Sequence, residues 1–480
     1  MFVTKQTFHP LARPALTHRS EAFGRQQHCA RIHRHAKASA ALQFFNVLTG
    51  PELLQITEEH LPEHRERLYP PTVTLSMFLH QALAADSSCQ AVVNAWAASR
   101  AAEGLSAHSV RTGGYCRARQ RLPLSMVQAL SRHSAQELAR RTPEGWRWRG
   151  RSVKLLDGTG ISMPDTPANQ AIFPQPKSQA SGVGFPMARL CALIDLASGA
   201  VLEAATAAHY GAGHSELGLS RTLLGALCPG DVLLADALYA NYWLIAELSA
   251  AGVDVVLRQH GSRCTDFRRG VSLGVRDHVV HWSRPAAVPQ WMSRAQYHAM
   301  PEQLTMREVR VNGGVLVTTM RDPRLLSKAQ LGALYRHRWN VELDLRCIKT
   351  TLGMEVLRCL TPAMVEKELW VYLLAYNLIR LLMAQAAADH CTQPRALSFK
   401  HTVQLYNEFT ARSLCRPETH NLTLLFALIA QQRVGHRPGR IEPRARKRRP
   451  KSFQWLKVPR VQARRQIKRL GYLPNPSHVK

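Results

Sequence analysis

The sequence has few acidic residues for its length. Its 480 residues contain 33 Asp+Glu against 63 Lys+Arg, a formal net charge of +30. Such an excess of one sign favours binding to a polyanion, and nucleic acid is the commonest polyanion in a cell. Because 45% of the residues are hydrophobic, the chain can also bury at least one large core. Composition therefore excludes a disordered basic tail and predicts a folded protein that binds nucleic acid.

Paired cysteines and long apolar runs are also missing. The ten cysteines include no C-x-x-C pair, which argues against a disulfide framework or a zinc module and favours free thiols in a reducing compartment. No uninterrupted apolar run approaches the ~18 residues of a membrane span, and residues 1–40 lack the apolar segment of a secretory signal. We therefore expect a cytoplasmic protein without a membrane partner.

Hydrophobic periodicity divides the chain into segments. Residues 41–148 have apolar residues at helical spacing, and an Arg-rich turn with Arg117, Arg119 and Arg121 suits a helical DNA-binding domain. A solvated helix face explains these arginines equally well. After residue 148 the pattern becomes strand-like, with helical stretches between the strands, which predicts an α/β fold built on a mixed sheet flanked by helices. The predicted segments are a basic arm (1–40), the helical domain (41–148), a catalytic core in two parts (149–260 and 321–390), a β-rich insertion (261–320), a helical segment (391–432) and a basic tail (433–480).

The basic tail carries a large share of the charge. From Arg433 to Arg469 there are 15 Lys+Arg and one acid, Glu442, so this stretch contributes 15 − 1 = +14. A block of like charge this dense repels itself unless it is solvated or neutralised. We expect DNA phosphates to neutralise it, with the run Arg446, Lys447, Arg448 and Arg449 among the contacts.

Three acids stand out against the basic background. Asp157 ends the apolar run "VKLLD" and Asp236 ends "VLLAD", and acids at this edge of an α/β sheet often carry its chemistry. Each could instead be a turn former or a helix N-cap. Glu342 could simply neutralise Arg338 and Arg346, four residues to either side. Taken together, the three acids predict oxygen ligands for two Mg²⁺ ions, with Mn²⁺ as a substitute, in phosphoryl-transfer chemistry.

A polar stripe surrounds the third acid. Ser327 is a plausible N-cap for one helix running to Gly353, and on such a helix Tyr335, Arg338, Glu342 and Lys349 would share a face. The spacing resembles the Y-x-x-R-x-x-x-E-x-x-x-x-x-x-K signature of DDE transposases of the bacterial insertion-sequence-four family. "LDGTG" and "ADALYAN" resemble that family's two Asp motifs, although Leu238 stands where the family often has glycine. The resemblance covers about residues 110–460.

The resemblance implies a fold, a site and an activity. The fold would be RNase H-like, with the β-rich insertion between the second Asp and the Glu. Asp157, Asp236 and Glu342 would be catalytic metal ligands, while Tyr335, Arg338, Lys349 and the neighbouring Arg346 would bind DNA. The protein would cut transposon ends and join them to target DNA. It would bind duplex terminal repeats, form a homodimer in the synaptic complex and associate with the bacterial nucleoid.

Two other functions fit the same residues. The chain could be a catalytically inactive transposase-derived DNA-binding protein, or a metal-dependent nuclease that does not join strands. In the insertion, Trp282 and Trp291 are candidates for stacking on a flipped base, with burial in a small core as the alternative.

Overall fold

The computed structural model describes residues 51–60, 68–102, 104, 109–211, 213–413, 422–435 and 455–473. The predicted arm 1–40 and the run Arg446 to Arg449 lie outside these residues.

The amino-terminal part is helical, as the periodicity predicted. The helices are α1 (Pro51–His60), α2 (Pro71–Leu83), α3 (Cys89–Ala102), α4 (Gly113–Arg121) and α5 (Leu124–Arg141). In α2, Pro71 occupies the first turn, where its missing N–H costs nothing. One face of α5 is fully buried through Met126, Val127 and Leu138, which join the main core. This helical part is therefore packed on the catalytic part of the chain.

A mixed sheet forms the centre of the described structure, as expected for an α/β fold. Its strands are β1 (Val153–Ser162), β2 (Met187–Asp195), β3 (Val201–Ala208), β4 (Val232–Ala235), β5 (Asp254–Arg258), β6 (Val271–Gly274), β7 (Asp277–Ser283), β8 (Gln303–Val311) and β9 (Gly314–Thr318). The order is β3-β2-β1-β4-β5-β9-β8-β7-β6. In this sheet the parallel ladders are β1 with β4 and β4 with β5, and the other neighbouring strands pair antiparallel. The apolar residues of the three parallel strands, including Leu155, Leu234 and Val256, are fully buried.

The strands of the predicted β-rich insertion continue the same sheet. Strand β9 pairs antiparallel with β5, and β8, β7 and β6 follow outward from it. The segment 261–320 is β-rich as predicted, but it extends the central sheet.

Helices cover the sheet and complete the core. Within and after the sheet they are α6 (Pro167–Ile172), α7 (Glu216–Leu223), α8 (Tyr242–Ala250), α9 (Arg294–Ala299), α10 (Lys328–Arg336), α11 (Trp339–Arg346), α12 (Pro362–Asp389), α13 (Phe399–Ser413), α14 (Leu422–Gln431) and α15 (Arg460–Leu470). By length and composition α12 could cross a membrane, but 94% of its most apolar window is buried inside the protein. It is the central helix of the core.

The single helix predicted from Ser327 to Gly353 is wrong, although its start is confirmed. Ser327 caps α10 and forms a capping box with Gln330. The helix ends at Arg336, because the backbone N–H groups of His337 and Arg338 bond three residues back instead of four. Helix α11 then starts at Trp339, and a π-helix follows at Cys347–Thr351. The spacing argument for one shared helix face does not hold across these two irregularities.

Candidate active site

Asp157 lies within a strand, not at its end as the sequence suggested. Strand β1 continues to Ser162 because it pairs with β2 over its whole length, with Asp157 opposite Ala192. On its other side, β1 pairs with β4 only as far as Leu155. Asp157 therefore stands just beyond the parallel ladder, at the open carboxyl edge that the prediction required. The Gly158 N–H donates to its Oδ1 at 2.8 Å.

Asp236 directly follows strand β4, as predicted. Its side chain caps the 3₁₀ helix Ala237–Tyr239 by accepting a hydrogen bond from the Leu238 N–H at 2.9 Å. Leu238 has no positive φ, so this turn does not require the glycine that the resembled motif often has. The N-cap alternative is thus realised here, and it places the Asp236 carboxylate at the same sheet edge as Asp157.

Glu342 is held by an arginine of its own motif. Arg338 Nη2 donates to Glu342 Oε1 at 2.6 Å, and Arg338 Nη1 lies 3.9 Å from Asp157 Oδ2. The ion-pair alternative for Glu342 is therefore also realised. The same guanidinium connects Glu342 to the first acid of the site.

The other two residues of the polar stripe reach the same sheet edge. The Tyr335 hydroxyl donates to the backbone carbonyl of Ala235, next to Asp236, at 3.3 Å. Lys349 Nζ donates to Thr159 Oγ1, two residues after Asp157, at 3.0 Å. The side chains of Tyr335, Arg338 and Lys349 thus all contact the ends of β1 and β4.

The chemistry of the donor set fits a divalent cation. The side chain of Asp157 is only 18% exposed. Burial, together with repulsion from Asp236 and Glu216, raises its pKa to about 6, despite the opposing effects of the Gly158 N–H and Arg338. A bound cation would stabilise this carboxylate. Among the residues that the structure describes, however, no group of three or more His, Cys, Asp or Glu side chains is arranged to hold a metal, and Glu342 faces Arg338 instead.

Sequence reasoning missed a fourth acid, Glu216. It is the first residue of α7, after the N-cap Ser215. Its carboxyl group packs over Gly158, where an added Cβ would lie 2.6 Å from Glu216 Cδ. Its Oε1 is 3.7 Å from Arg189 Nε. An acid in the first turn of a helix is so common that its position in the sequence gave no signal.

The remaining basic candidates differ in exposure. Arg117, Arg121 and Arg346 are exposed, so they are accessible to DNA. Arg119 is buried, with its guanidinium 4.7 Å from the centre of the Phe78 ring. The DNA-binding prediction for Arg119 is corrected on this ground, because a side chain packed on a core aromatic ring does not reach a phosphate.

The two tryptophans of the insertion also differ. Trp282 is 2% exposed, donates from Nε1 to Glu308 at 2.8 Å and is covered by Arg263. This contradicts base stacking by Trp282 and supports the core alternative. Trp291 is 46% exposed, with the Arg221 guanidinium 3.4 Å from the ring centre.

Comparison with known proteins finds a matching family and similar transposases. Residues 148–378 match the family model described as "Transposase DDE domain". Transposase InsG for insertion sequence element IS4 of Escherichia coli (strain K12) is 31% identical over 297 residues, which are 59% of this chain and 64% of that protein. The matched part thus spans just under two thirds of this relative's length.

A solved structure, the piggyBac transposase synaptic complex with hairpin DNA, is similar at a TM-score of 0.43 and 11% identity, over 82% of this chain and 86% of that one. The family match over residues 148–378 includes Asp157, Asp236 and Glu342. The part of this chain from residue 148 to residue 378 therefore resembles a transposase DDE domain, and over 297 residues the chain is similar to an insertion-sequence transposase.

Proposed function

We propose that this chain is a DDE transposase, which cleaves DNA at transposon ends and joins the freed ends to target DNA. One observation carries the proposal. Asp157 and Asp236 stand at the carboxyl edge of the neighbouring parallel strands β1 and β4. The side chains of Glu342, Tyr335 and Lys349 converge on the same edge. Such an edge is where open α/β sheets place their chemistry. We assign the sheet to the RNase H-like class on the same ground.

The proposed metal ligands are Asp157, Asp236 and Glu342. The cations are Mg²⁺, with Mn²⁺ as a substitute, and when bound they activate the attacking oxygen and stabilise the leaving oxygen. Asp157 and Asp236 are fixed by hydrogen bonds from backbone N–H groups, which orient their carboxylates before a cation arrives.

The proposed DNA-binding surface combines the polar stripe with basic side chains elsewhere in the chain. Tyr335, Arg338 and Lys349 hold the phosphates of the transposon end beside the acids, and Arg346 extends this surface. The helical domain 41–148, through Arg117 and Arg121, and the tail 433–480 add phosphate contacts. The partner is duplex DNA, both of the terminal inverted repeats and of the target. In the synaptic complex this DNA is bound by a homodimer. The protein is cytoplasmic and associates with the nucleoid.

The test uses a duplex that carries the element's own end, with Mg²⁺, Mn²⁺ or Ca²⁺. Changing Asp157, Asp236 or Glu342 to Ala should abolish nicking and strand transfer together, because both steps use the same cations. End binding in a gel-shift assay should survive. Glu355→Ala is the matched control, because Glu355 is an exposed acid close in sequence to the Glu342 helix. Its activity should equal that of the wild type.

The outcomes separate the alternatives. Robust Mg²⁺-dependent cleavage by Glu342→Ala would make Glu342 an ion-pair residue and overturn its catalytic assignment. Wild-type cleavage without strand transfer would identify a non-joining nuclease. Binding without any cleavage would identify an inactive DNA-binding relative.

A further inference from the structure

The Arg338 guanidinium occupies a central position among the acids of the candidate site. It donates to Glu342 at 2.6 Å and lies 3.9 Å from Asp157. The side chains of Arg338 and Asp157 are each 18% exposed, and that of Glu342 is 37% exposed. One cation therefore connects two of the three proposed metal ligands while they are partly shielded from water.

The other cations near these acids have different partners. Lys349 Nζ donates to the Thr159 hydroxyl. Arg189 donates to the His214 carbonyl and lies 3.7 Å from Glu216. Among the described residues, the ion pairs that reach Asp157 and Glu342 thus come from Arg338.

A carboxylate cannot give the same lone pairs to a guanidinium and to a divalent cation. Glu342 must leave Arg338, or share it, before it can join Asp157 and Asp236 around a cation. Once released, the Arg338 guanidinium would be free to bind a phosphate with two parallel hydrogen bonds.

We propose that Arg338 is an exchangeable counter-ion that couples cation binding to DNA binding. Without a cation it neutralises Asp157 and Glu342. A divalent cation displaces it, and the released guanidinium then binds the transposon-end phosphate. Because coupling between two ligands is reciprocal, DNA that engages Arg338 also favours the cation. This inference rests on the proposed function, since it takes the acids as cation ligands.

The first measurement is Mn²⁺ binding without DNA, by isothermal titration calorimetry of the full chain. Arg338→Gln should bind Mn²⁺ about 3- to 10-fold more tightly than the wild type, because the competing ion pair is gone. Arg336→Gln is the matched control: it removes an exposed charge two residues before Arg338, at the end of α10, that reaches neither Asp157 nor Glu342 in an ion pair. Its Mn²⁺ affinity should stay within about twofold of the wild type, since exposed charges are screened.

The second measurement is the effect of Ca²⁺ on the affinity for an end duplex. Ca²⁺ should raise the affinity of the wild type and of Arg336→Gln, but raise that of Arg338→Gln much less. Arg338→Lys should fall between, because it keeps the charge but loses the two-pronged hydrogen bonding. Circular dichroism confirms that each variant is folded.

The outcomes distinguish the inference from the proposed function. If the wild type binds Mn²⁺ and Arg338→Gln binds it no more tightly than Arg336→Gln, the counter-ion role is overturned while the metal site stands. If the wild type binds no Mn²⁺ even with end DNA present, the metal assignment of the proposed function is wrong. This inference is then overturned as well, because it depends on that assignment.

Discussion

Replacing Asp157 with asparagine should stabilise the cation-free protein at neutral pH. Burial, with repulsion from Asp236 and Glu216, raises the pKa of Asp157 from an ordinary value of 3.8 to about 6. One pKa unit corresponds to about 1.36 kcal/mol, so ionising this carboxyl group in the folded state costs up to ~3 kcal/mol. Asparagine carries no charge, and its carbonyl oxygen can still accept the Gly158 N–H. The pKa of about 6 already includes the attraction to Arg338, and solvent screening at this partly exposed site makes ~3 kcal/mol the upper limit.

The pH dependence gives the prediction its sign. Below pH 3.8 the Asp157 carboxyl group is protonated in both the folded and the unfolded state, so its raised pKa costs nothing. Between about pH 4 and pH 6 the unfolded state loses this proton while the folded state keeps it, so unfolding becomes progressively more favourable. Above about pH 6 the carboxyl group is ionised in both states and the full cost is present. The stability advantage of Asp157→Asn should therefore grow between about pH 4 and pH 6 and stay constant above that range. Urea unfolding in EDTA at pH 4 to 8 measures it.

Asp195→Asn is the matched control with the opposite expected sign. Asp195 is buried on the neighbouring strand β2, but Lys154 Nζ lies 3.0 Å away and Ser198 donates two hydrogen bonds to it. Attraction to Lys154 and these hydrogen bonds outweigh burial and hold its pKa below the usual range. Neutralising this partner of a buried lysine should destabilise the protein at pH 7. If Asp157→Asn proves as destabilising as Asp195→Asn, or if its effect does not vary with pH, the reasoning about Asp157 is refuted.

Three further predictions concern the support of the site and its DNA contacts. Asp344→Ala should lower the free energy of unfolding by about 3–5 kcal/mol, because it leaves Arg380 and Arg395 without the carboxylate they share on the buried face of α11, the helix that carries Glu342. A loss under about 1 kcal/mol in urea unfolding would contradict this. Trp282→Ala should lower the free energy of unfolding by about 3–5 kcal/mol, because it truncates a core side chain. Trp291→Ala should leave the urea midpoint nearly unchanged. Equal urea midpoints for the two variants would argue against the difference in burial between the two tryptophans. Deleting 433–480 should weaken binding to all duplexes and flatten the plot of log K against log salt by about 0.9 for each lost phosphate contact; an unchanged slope would show that the tail does not contact DNA.

Local sequence determined those parts of the molecule that depend on neighbouring residues. An apolar run followed by an acid was enough to place Asp236 after β4, because a strand and the N-cap that follows it are both local structures. The Ser327 capping box is local in the same sense. The motif spacing identified Glu342 and its polar neighbours, and the surplus of basic residues predicted a nucleic-acid partner without any knowledge of the fold.

Tertiary structure decided which side chains meet. Asp157 reaches the open sheet edge because β4 stops pairing at Leu155 while β2 pairs onward to Ser162, and no local pattern encodes the lengths of two ladders. Glu216 joins the site because α7 brings it over Gly158. Arg119 is buried by packing on Phe78, a residue far away in the sequence. The helix predicted from Ser327 to Gly353 is interrupted after Arg336 by hydrogen bonds to the residue three back and again at Cys347 by a π-helix, and the capping and spacing signals of the sequence did not indicate either interruption.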